Sequence, residues 1–247
     1  MGRLYIETAG EKGKTVVSDS FFTSPFKITK PFENSGAAEI MIMQASAGIL
    51  EGDRHELEFK IRSGSNVIIT GQSYTKLFRM DSGRAEQRVK ITVEKGASLC
   101  WLPCPVIPFK ESEFINVNEI YLEEGARFAM QDVFACGRNG MGESFEFRKY
   151  HSRTVVYENN KPVFVDNTRL VPKEADIGGI GYFEGYTHQG MAYFYGLDKI
   201  MPYESDSLTA AVTDARRGQL MRLLGNSSDE IESYIKNITA VMFPTAC

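Results

Sequence analysis

Apolar and polar residues alternate along several stretches of this chain. Leu57, Phe59 and Ile61 are each followed by a charged residue, and residues 89–93 and 145–148 show the same period of two. Successive side chains of an extended strand point to opposite faces, so each stretch predicts a strand with one buried face. Turns rich in glycine, asparagine and serine separate the stretches, and this combination predicts an all-β fold.

Three segments of the chain repeat one pattern. Their sequences are LEFKIRSGSNVIITGQ, VKITVEKGASLCWLPC and NEIYLEEGARFAMQDV, and each holds an alternating strand, a glycine turn and a second apolar strand. The central glycines Gly64, Gly96 and Gly125 recur about every 30 residues, which is typical of stacked repeat units. We expect these glycines to adopt positive φ in tight turns. The pattern predicts a helical, stacked β-sheet arrangement, and an ordinary meander with evenly spaced turns is the alternative.

One α-helix is predicted near the C-terminus, over about residues 227–243. Ser227 and Glu230 have the spacing of a capping box, and Pro244 ends the segment. Apolar residues at helical spacing predict the face that packs on the sheet, and the polar residues between them predict a solvent face. The apolar stripe comprises Ile231, Tyr234, Ile235, Ile238 and Val241 or Met242, and the polar face comprises Glu232, Ser233, Lys236 and Asn237.

The stretch before this helix is compatible with two secondary structures. Residues 208–224 contain alanines that favour a second helix, whereas Leu220, Met221, Leu223 and Leu224 fit a strand equally well. The predicted fold is therefore mainly β, with one or two C-terminal α-helices.

Composition and charge narrow the class of protein. Of 247 residues, 43% are hydrophobic and 24% are charged, which predicts a folded core rather than disorder. Lys plus Arg is 28 and Asp plus Glu is 32, and the net charge of −4 argues against a nucleic-acid partner. No stretch approaches the ~20 apolar residues of a membrane span, and the N-terminus has no apolar signal region. We expect one domain over residues 1–247, a cytoplasmic location and no membrane partner.

A glycine-rich loop at residues 136–143 is the first candidate for chemistry. A phosphate-binding loop lies between a strand and a helix, but the residues that follow this one, SFEFRKY, alternate like a strand. We therefore interpret it as a β-turn or bulge loop that presents Arg138 and Glu143. These charges are expected either to dock a partner or to bridge to Asp53, which lies in a turn at residues 51–54.

The cysteines and histidines lack the spacing of a tight metal site. Cys100 and Cys104 would lie ~13 Å apart on an extended strand, too far to share one ion unless the neighbouring prolines fold the segment. Zinc bound with Cys136 is the alternative to burial as small hydrophobic side chains. No nucleophile motif occurs either. The residues favour a binding or scaffolding role; a small β-rich hydrolase with unidentified catalytic acids and a β-solenoid adhesin are the alternatives, the adhesin disfavoured by the lack of a secretion signal.

Seven short stretches of the chain stand out when they are taken together. In chain order they are SPFK at 24–27, GILEGD at 48–53, TGQSYTK at 70–76, WLP through IPF at 101–109, GR through GE at 137–143, GYTH at 185–188 and RLLG at 222–225. In this order and spacing they resemble the urease accessory protein D family (UreD, called UreH in some bacteria), and the resemblance extends from Phe21 to Phe243. Many family members carry two glycines where this chain has Ala47 and Gly48, a departure expected to alter only a turn.

The resemblance implies a β-rich helical-sheet fold with two strands before one helix, and no enzymatic activity. It implies assembly with the accessory proteins UreF and UreG and docking on apo-urease for nickel insertion. It also implies that nickel passes in transit through an internal polar passage, with no cofactor bound tightly. Inward-facing Asp, Glu, Ser and Thr suit such a passage, because oxygen ligands bind a passing ion weakly enough to release it.

The family motifs and the helix single out candidate site residues. His188 is the candidate imidazole relay for nickel, and Tyr234 and Ile238 are the candidate contacts for UreF. We expect the isolated protein to bind nickel weakly, and blocking of its thiols to change this little. The remaining family-motif positions are Gly52, Asp53, Thr75, Lys76, Pro108, Phe109, Gly137, Arg138 and Glu143.

Overall fold

A computed structural model describes residues 1–34 and 36–242. The structure is 54% strand and 7% helical, which confirms the prediction of a strand-dominated fold. The strands are β1 (Gly2–Glu11), β2 (Lys14–Phe22), β3 (Phe26–Ile28), β4 (Phe32–Asn34), β5 (Ala37–Gln44), β6 (Arg54–Ile61), β7 (Asn66–Gly71), β8 (Thr75–Leu77), β9 (Ala85–Val93), β10 (Ser98–Leu102), β11 (Val106–Pro108), β12 (Glu113–Leu122), β13 (Arg127–Ala135), β14 (Lys149–Glu158), β15 (Lys161–Leu170), β16 (His188–Tyr195), β17 (Tyr203–Glu204), β18 (Leu208–Asp214) and β19 (Gln219–Gly225). The helices are the α-helix α1 (Ser228–Thr239) and two short 3-10 turns (Asn139–Met141 and Ala240–Met242).

The strands form two sheets that face each other. The seven-stranded sheet has the order β15-β14-β12-β9-β6-β1-β2, and the twelve-stranded sheet follows β17-β18-β19-β16-β13-β10-β7-β5-β3, with β4, β8 and β11 paired beside that path. From β5 to β14 the chain alternates between the sheets, and the neighbouring strands of each sheet in this stretch run parallel. This is the stacked, helical arrangement that the repeats predict.

The three repeated glycines lie directly above one another at the turns between the sheets. The amide of Gly64 donates a hydrogen bond to the carbonyl of Gly96 at 3.3 Å, and Gly96 donates to Gly125 at 3.4 Å. Their φ angles are 76°, 71° and 85°, in the left-handed region that favours glycine. The expectation of positive φ is therefore confirmed, and this edge of the molecule is called the glycine edge below.

Three apolar clusters stabilise the fold. The first fills the space between the sheets on the side of the glycine edge, where Phe59 packs edge-to-face on Trp101 with ring centroids 5.1 Å apart. The second lies between the outer face of the twelve-stranded sheet and α1, through the fully buried Ile231 and Ile235. The third gathers under the loops on the opposite side of the molecule, around Phe134. Burial of apolar surface in these layers is the main favourable term in folding.

The C-terminal segment agrees with the family resemblance. Residues 208–224 form β18 and β19, two antiparallel strands, and α1 follows. Ser227 stands at the N-cap position, but its side chain makes no capping hydrogen bond, so the predicted capping box is wrong. Glu230 instead accepts a hydrogen bond of 2.7 Å from the Ser207 hydroxyl. The predicted end of the helix, at Phe243 and Pro244, lies outside the described residues.

The strand predicted at residues 145–148 is wrong. Phe145 has a φ of 58°, which interrupts an extended backbone, and its amide donates to the carbonyl of Cys136 at 2.7 Å to close a loop. β14 begins only at Lys149. The alternation there has another cause: Phe147 is buried in the third cluster beneath the loop, whereas the residues beside it remain partly accessible.

Candidate functional site: a loop edge and a polar band

The long loops that leave the twelve-stranded sheet collect on the side opposite the glycine edge, here called the loop edge. β8 pairs in parallel with β11, and Lys76 lies beside Ile107 in this pair. The amide of Ile49 donates to the carbonyl of Lys76 at 2.8 Å. Gly52 adopts a φ of 81°, and its amide donates to the carbonyl of Arg84 at 3.0 Å. The fold thus brings the motif residues at 48–53, 75–76 and 108–109 to one edge.

Arg138 and Glu143 close the glycine-rich loop on this edge. The Arg138 Nε donates to a carboxylate oxygen of Glu143 at 2.7 Å, and the guanidinium lies 4.3 Å from the centroid of the Phe109 ring. The hydrogen bonds from Arg138 lower the pKa of Glu143. A Cβ at Gly137 would lie 2.6 Å from the carbonyl oxygen of Glu143, so a glycine is required at this close approach. These contacts therefore hold the loop in one defined conformation.

The predicted bridge from this loop to Asp53 is not formed. Asp53 instead closes its own turn, because its carboxylate accepts a hydrogen bond of 2.8 Å from the amide of Leu50. Arg138 and Glu143 satisfy each other, and Glu143 also accepts from the amide of Lys110 at 3.4 Å. The bidentate fit between a guanidinium and a carboxylate explains why the pair forms within the loop.

The helix residues proposed as partner contacts lie at the rim of the second cluster. Tyr234 and Ile238 are half-buried, and the Tyr234 ring stacks on Tyr203 of β17 with centroids 4.9 Å apart. Glu232 does not belong to the solvent face as predicted. It is half-buried against Gln131, which donates to it at 3.2 Å, and burial raises the pKa of its carboxyl.

His188 lies at the start of β16, on the outer face of the twelve-stranded sheet, where α1 begins. Its Nδ1 is 2.8 Å from the Thr187 hydroxyl, and burial lowers the pKa of the imidazole while the nearby Asp229 opposes this. Strand alternation points it to the same face as Ala192 and Phe194, which pack under α1. His188 therefore lies outside the space between the sheets.

Polar side chains cross the space between the sheets as one continuous layer, here called the polar band. The strand register, parallel from β6 to β14 and antiparallel between β14 and β15, places its members of the seven-stranded sheet in two adjacent rows, which separate the first apolar cluster from the third. The band comprises His55, Gln87, Asn116, Asn118, Ser152, Thr154, Asp166 and Thr168 of the seven-stranded sheet and Asp132 and Arg222 of the twelve-stranded sheet.

Hydrogen bonds connect the band from strand to strand. Gln87 donates to Asn116 at 3.3 Å, and Asn116 donates to the Ser152 hydroxyl at 3.3 Å. Ser152 in turn donates to Asp132 across the two sheets at 2.6 Å. Asn118 donates to Thr154 at 3.0 Å in the parallel row. Buried polar groups require partners, and these side chains supply them to one another.

Two carboxylates and one guanidinium carry the charge of the band. Asp132 accepts hydrogen bonds from Ser152 and from the Tyr150 hydroxyl at 2.9 Å, and burial raises the pKa of its carboxyl. Asp166 is ion-paired to Arg222 and accepts from the Thr168 hydroxyl at 3.1 Å. Burial of a carboxylate is costly, and Asp166 is 5% exposed while Asp132 is half-buried between the packed sheets, which points to a role other than stability.

The band opens to a cavity at each end. Near β7 and β10 a small cavity of ≈ 60 Å³ is lined by Gln87 of the band and by Gln72, Ser73 and Thr75 of a family motif. Near β15 and β19 a cleft of ≈ 450 Å³ is lined by Thr168 and Arg222 of the band. The polar layer therefore leads from one side of the molecule to the other.

His55 marks the β6 end of the band. The residue is 4% exposed, and its Nδ1 is buried without a hydrogen-bond partner. The ring packs edge-to-face on Phe26 with centroids 4.9 Å apart. Burial lowers the pKa of the imidazole, while the carboxylate of Asp53 opposes this and the N-terminal amine reinforces it.

The cysteines of the described residues lie in apolar or partly apolar surroundings. Cys100 is buried beside Met242, with the two sulfurs 3.3 Å apart, and burial raises the pKa of its thiol to about 12. Burial also raises the pKa of Cys104, to about 11, and that of Cys136. Within residues 1–34 and 36–242, no group of three or more His, Cys, Asp or Glu is placed to hold a metal ion.

Inspection of the sequence missed the polar band, although a signal for it exists. In β12 the inward positions run Phe114, Asn116, Asn118, Ile120, so two amides replace apolar residues on the buried face. β14 shows the same interruption at Ser152 and Thr154. Polar residues at buried positions of consecutive repeats would have located the band.

Comparisons with known proteins place the chain in a family. The family model described as UreD urease accessory protein matches residues 1–246. The chain belongs to the UreD family. The urease accessory protein UreD of Acetivibrio thermocellus is 39% identical over 253 residues, which cover 98% of this chain and 97% of that relative.

Two further relatives carry names of the same kind. The urease accessory protein UreH of Helicobacter hepaticus is 33% identical over 234 residues, 93% of each chain. The urease accessory protein UreD of Flavobacterium johnsoniae is 27% identical over 252 residues, 96% of this chain and 91% of the relative. The resemblance noted in the short motifs is thus confirmed over nearly the whole chain. Among the described helices, none is both long and apolar enough to cross a bilayer.

Proposed function

We propose that this chain is a non-catalytic maturation factor of urease, and that nickel crosses it through the polar band. Membership of the UreD family supports the first part, because the relatives are named urease accessory proteins. The band itself carries the second part. It is a hydrogen-bonded layer of oxygen-bearing side chains between two apolar clusters, and it reaches a cavity on each side.

The chemistry of the band suits an ion in transit. Carboxylate, amide and hydroxyl oxygens bind a divalent first-row cation less tightly than thiolates and imidazoles do. Asp132 and Asp166 supply negative charge to the layer, and the hydroxyls of Ser152 and Thr168 contact them directly. Weak sites in series allow an ion to enter and to leave.

The proposal also includes the assembly of this chain with UreF, UreG and apo-urease. Tyr234 and Ile238 on α1 form the contact for UreF, next to the exposed Tyr203. The loop edge, with Arg138 and Glu143, docks a second protein of the assembly. Aromatic residues and arginine are enriched where proteins bind one another, which favours these two surfaces.

Isosteric removal of the two carboxylates tests the passage. We expect the double variant Asp132→Asn/Asp166→Asn to assemble with UreF, UreG and urease normally but to lower the nickel content of the matured urease at least about tenfold. Glu39→Gln is the matched control, since Glu39 is also buried but lies on the outer face of the twelve-stranded sheet, where it contacts Thr70. Full nickel content in the double variant, with an intact assembly, would refute the passage.

A pair of stacked tyrosines tests the contact for UreF. Tyr234→Ser should weaken capture of UreF from solution. Tyr157→Ser is the control, because Tyr157 stacks on Tyr121 with the same centroid distance of 4.9 Å, on the outer face of the seven-stranded sheet. Equal capture by both variants would remove α1 from the interface.

A further inference from the structure

The mouth of the polar band near β15 and β19 is occupied by a positive charge. Arg222 projects from β19 between the sheets, and its guanidinium is ion-paired to Asp166. The Arg222 side chain is 40% exposed, whereas that of Asp166 is 6% exposed. The guanidinium therefore stands between the open cleft and the buried carboxylate.

Arg222 is the cation among the charged side chains of the band. It neutralises Asp166, and it also lowers the pKa of Asp132, although the opposite effect of burial is larger. A guanidinium stays protonated at all physiological pH values, so this positive charge is permanent. A divalent cation that approaches from the cleft meets this charge before it reaches either carboxylate, and like charges at short range repel each other.

We propose that Arg222 is the gate of the passage: a tethered cation that closes the mouth by holding Asp166 and that must swing into the cleft before a divalent metal ion can reach the two carboxylates. This inference rests on the proposed function and adds its regulation. The guanidinium carries one positive charge and the arriving metal ion two, so the ion neutralises the Asp166 carboxylate that the guanidinium releases and the Asp132 carboxylate as well. No bond other than hydrogen bonds and ion pairs is broken.

The cleft has room for the open position. Its volume is ≈ 450 Å³, and Glu184 lines it together with Arg222. Glu184 is exposed and lies on the loop that forms one wall, where its carboxylate accepts a hydrogen bond of 3.1 Å from the amide of Gly181. The long side chain of Arg222 is anchored on a central strand, so its guanidinium can move while the backbone stays fixed.

Nickel titration of the isolated full-length chain tests the gate. Equilibrium dialysis against nickel chloride should show that Arg222→Gln binds one nickel ion about tenfold more tightly than the unchanged protein, the size of a typical coupling between competing ligands. The gain should disappear in Arg222→Gln/Asp166→Asn. Arg169→Gln is the matched control, because Arg169 lines the same cleft but pairs with Glu174 at the surface, and it should leave nickel affinity unchanged.

A second variant covers the event that Arg222→Gln does not fold. Arg222→Lys keeps a positive charge for Asp166 but replaces the hydrogen-bonded guanidinium by a shorter side chain that ends in an ammonium, so we expect it to fold and to show a smaller gain in nickel affinity. Unchanged affinity in every folded Arg222 variant would overturn the gate. A gain that persists without the Asp166 carboxylate would overturn it too.

Different experimental results would refute the gate and the passage. If Asp132→Asn/Asp166→Asn abolishes nickel delivery to urease while the Arg222 variants bind nickel like the unchanged protein, the gate is refuted and the passage stands. If the carboxylate double variant delivers nickel normally, the proposed passage itself is refuted. Dialysis on the isolated chain and nickel content of matured urease separate these two results.

Discussion

The Ser152 hydroxyl of the seven-stranded sheet donates a hydrogen bond of 2.6 Å to the Asp132 carboxylate of the twelve-stranded sheet. This bond joins the two sheets within the polar band. It also continues the hydrogen-bonded row that starts at Gln87. The hydrogen bonds from the Ser152 and Tyr150 hydroxyls oppose the rise that burial causes in the pKa of this carboxyl, and their effect on stability can be measured.

Ser152→Ala should destabilise the protein by about 1–3 kcal/mol, because a buried acceptor loses one of its donors. Urea unfolding measures the change. Asp132→Asn should reduce the cost of Ser152→Ala, since the group left without its donor is then neutral, and the double-mutant cycle should show a coupling of at least about 0.5 kcal/mol. Ser144→Ala, at an exposed position in the loop, serves as the control. Equal costs for Ser152→Ala with and without the Asp132 carboxylate would contradict the role of the bond.

Alanine substitutions at and near the glycine edge should separate the cost of a left-handed backbone from the cost of a steric clash. Gly96 has a φ of 71°, and a Cβ there would lie 3.7 Å from its nearest neighbour, so Gly96→Ala should cost only the left-handed strain of about 1–2 kcal/mol. Gly10→Ala should cost more, because its Cβ would lie 2.5 Å from the carbonyl oxygen of Gly64. Gly140→Ala, with open space around it, should be nearly neutral. Thermal unfolding of the three variants gives the order, and a reversal of the first two would contradict the stacked turns.

The buried imidazole of His55 should make the free energy of unfolding depend on pH. Burial lowers the pKa of its imidazole below the usual 6.5, although the Asp53 carboxylate opposes the shift and the N-terminal amine reinforces it. Between pH 6.5 and the lowered pKa, the unfolded chain binds a proton that the folded chain does not. The contribution of the neutral His55 imidazole to the free energy of unfolding should therefore be fully present above this window. It should be lost as the pH falls through the window.

Urea unfolding at a series of pH values checks this expectation against His55→Leu. The variant should lose less stability than the unchanged protein as the pH falls, by up to about 1.4 kcal/mol for each unit of pKa shift. It should keep a residual dependence, because burial lowers the pKa of His188 in the same direction. Parallel curves for the two proteins would show that His55 does not contribute.

Arg138→Ala should impair urease activation while the protein stays folded. The side chain is partly exposed, so loss of its ion pair with Glu143 and of its contact with the Phe109 ring should change the free energy of unfolding little. Arg62→Ala is the control, because Arg62 also bridges carboxylates, those of Glu7 and Glu94, but on the opposite edge. Normal activation by Arg138→Ala, or equal impairment by Arg62→Ala, would remove the loop from the functional surface.

Local patterns predicted much of the fold. The period-2 alternation located strands such as β6, β9 and β12, because one buried face is enough to impose it. The alternation at residues 145–148 misled for a related reason: Phe147 is buried in a loop, and burial on every second residue looks the same whether or not the backbone pairs. The capping box at Ser227 misled because a cap can be replaced by other contacts of the same residues.

Some features of the candidate site could likewise be predicted from the sequence, and others could not. The sequence by itself determined strands such as β6, β9 and β12, the turns at Gly64, Gly96 and Gly125 and the loops that hold the family motifs, because these features depend on neighbours along the chain. Only the tertiary structure showed the polar band, because the parallel register places His55, Gln87 and Asn116 side by side from three separate strands. It alone paired Arg222 with Asp166, 56 residues away in the chain, because that contact requires two sheets to face each other.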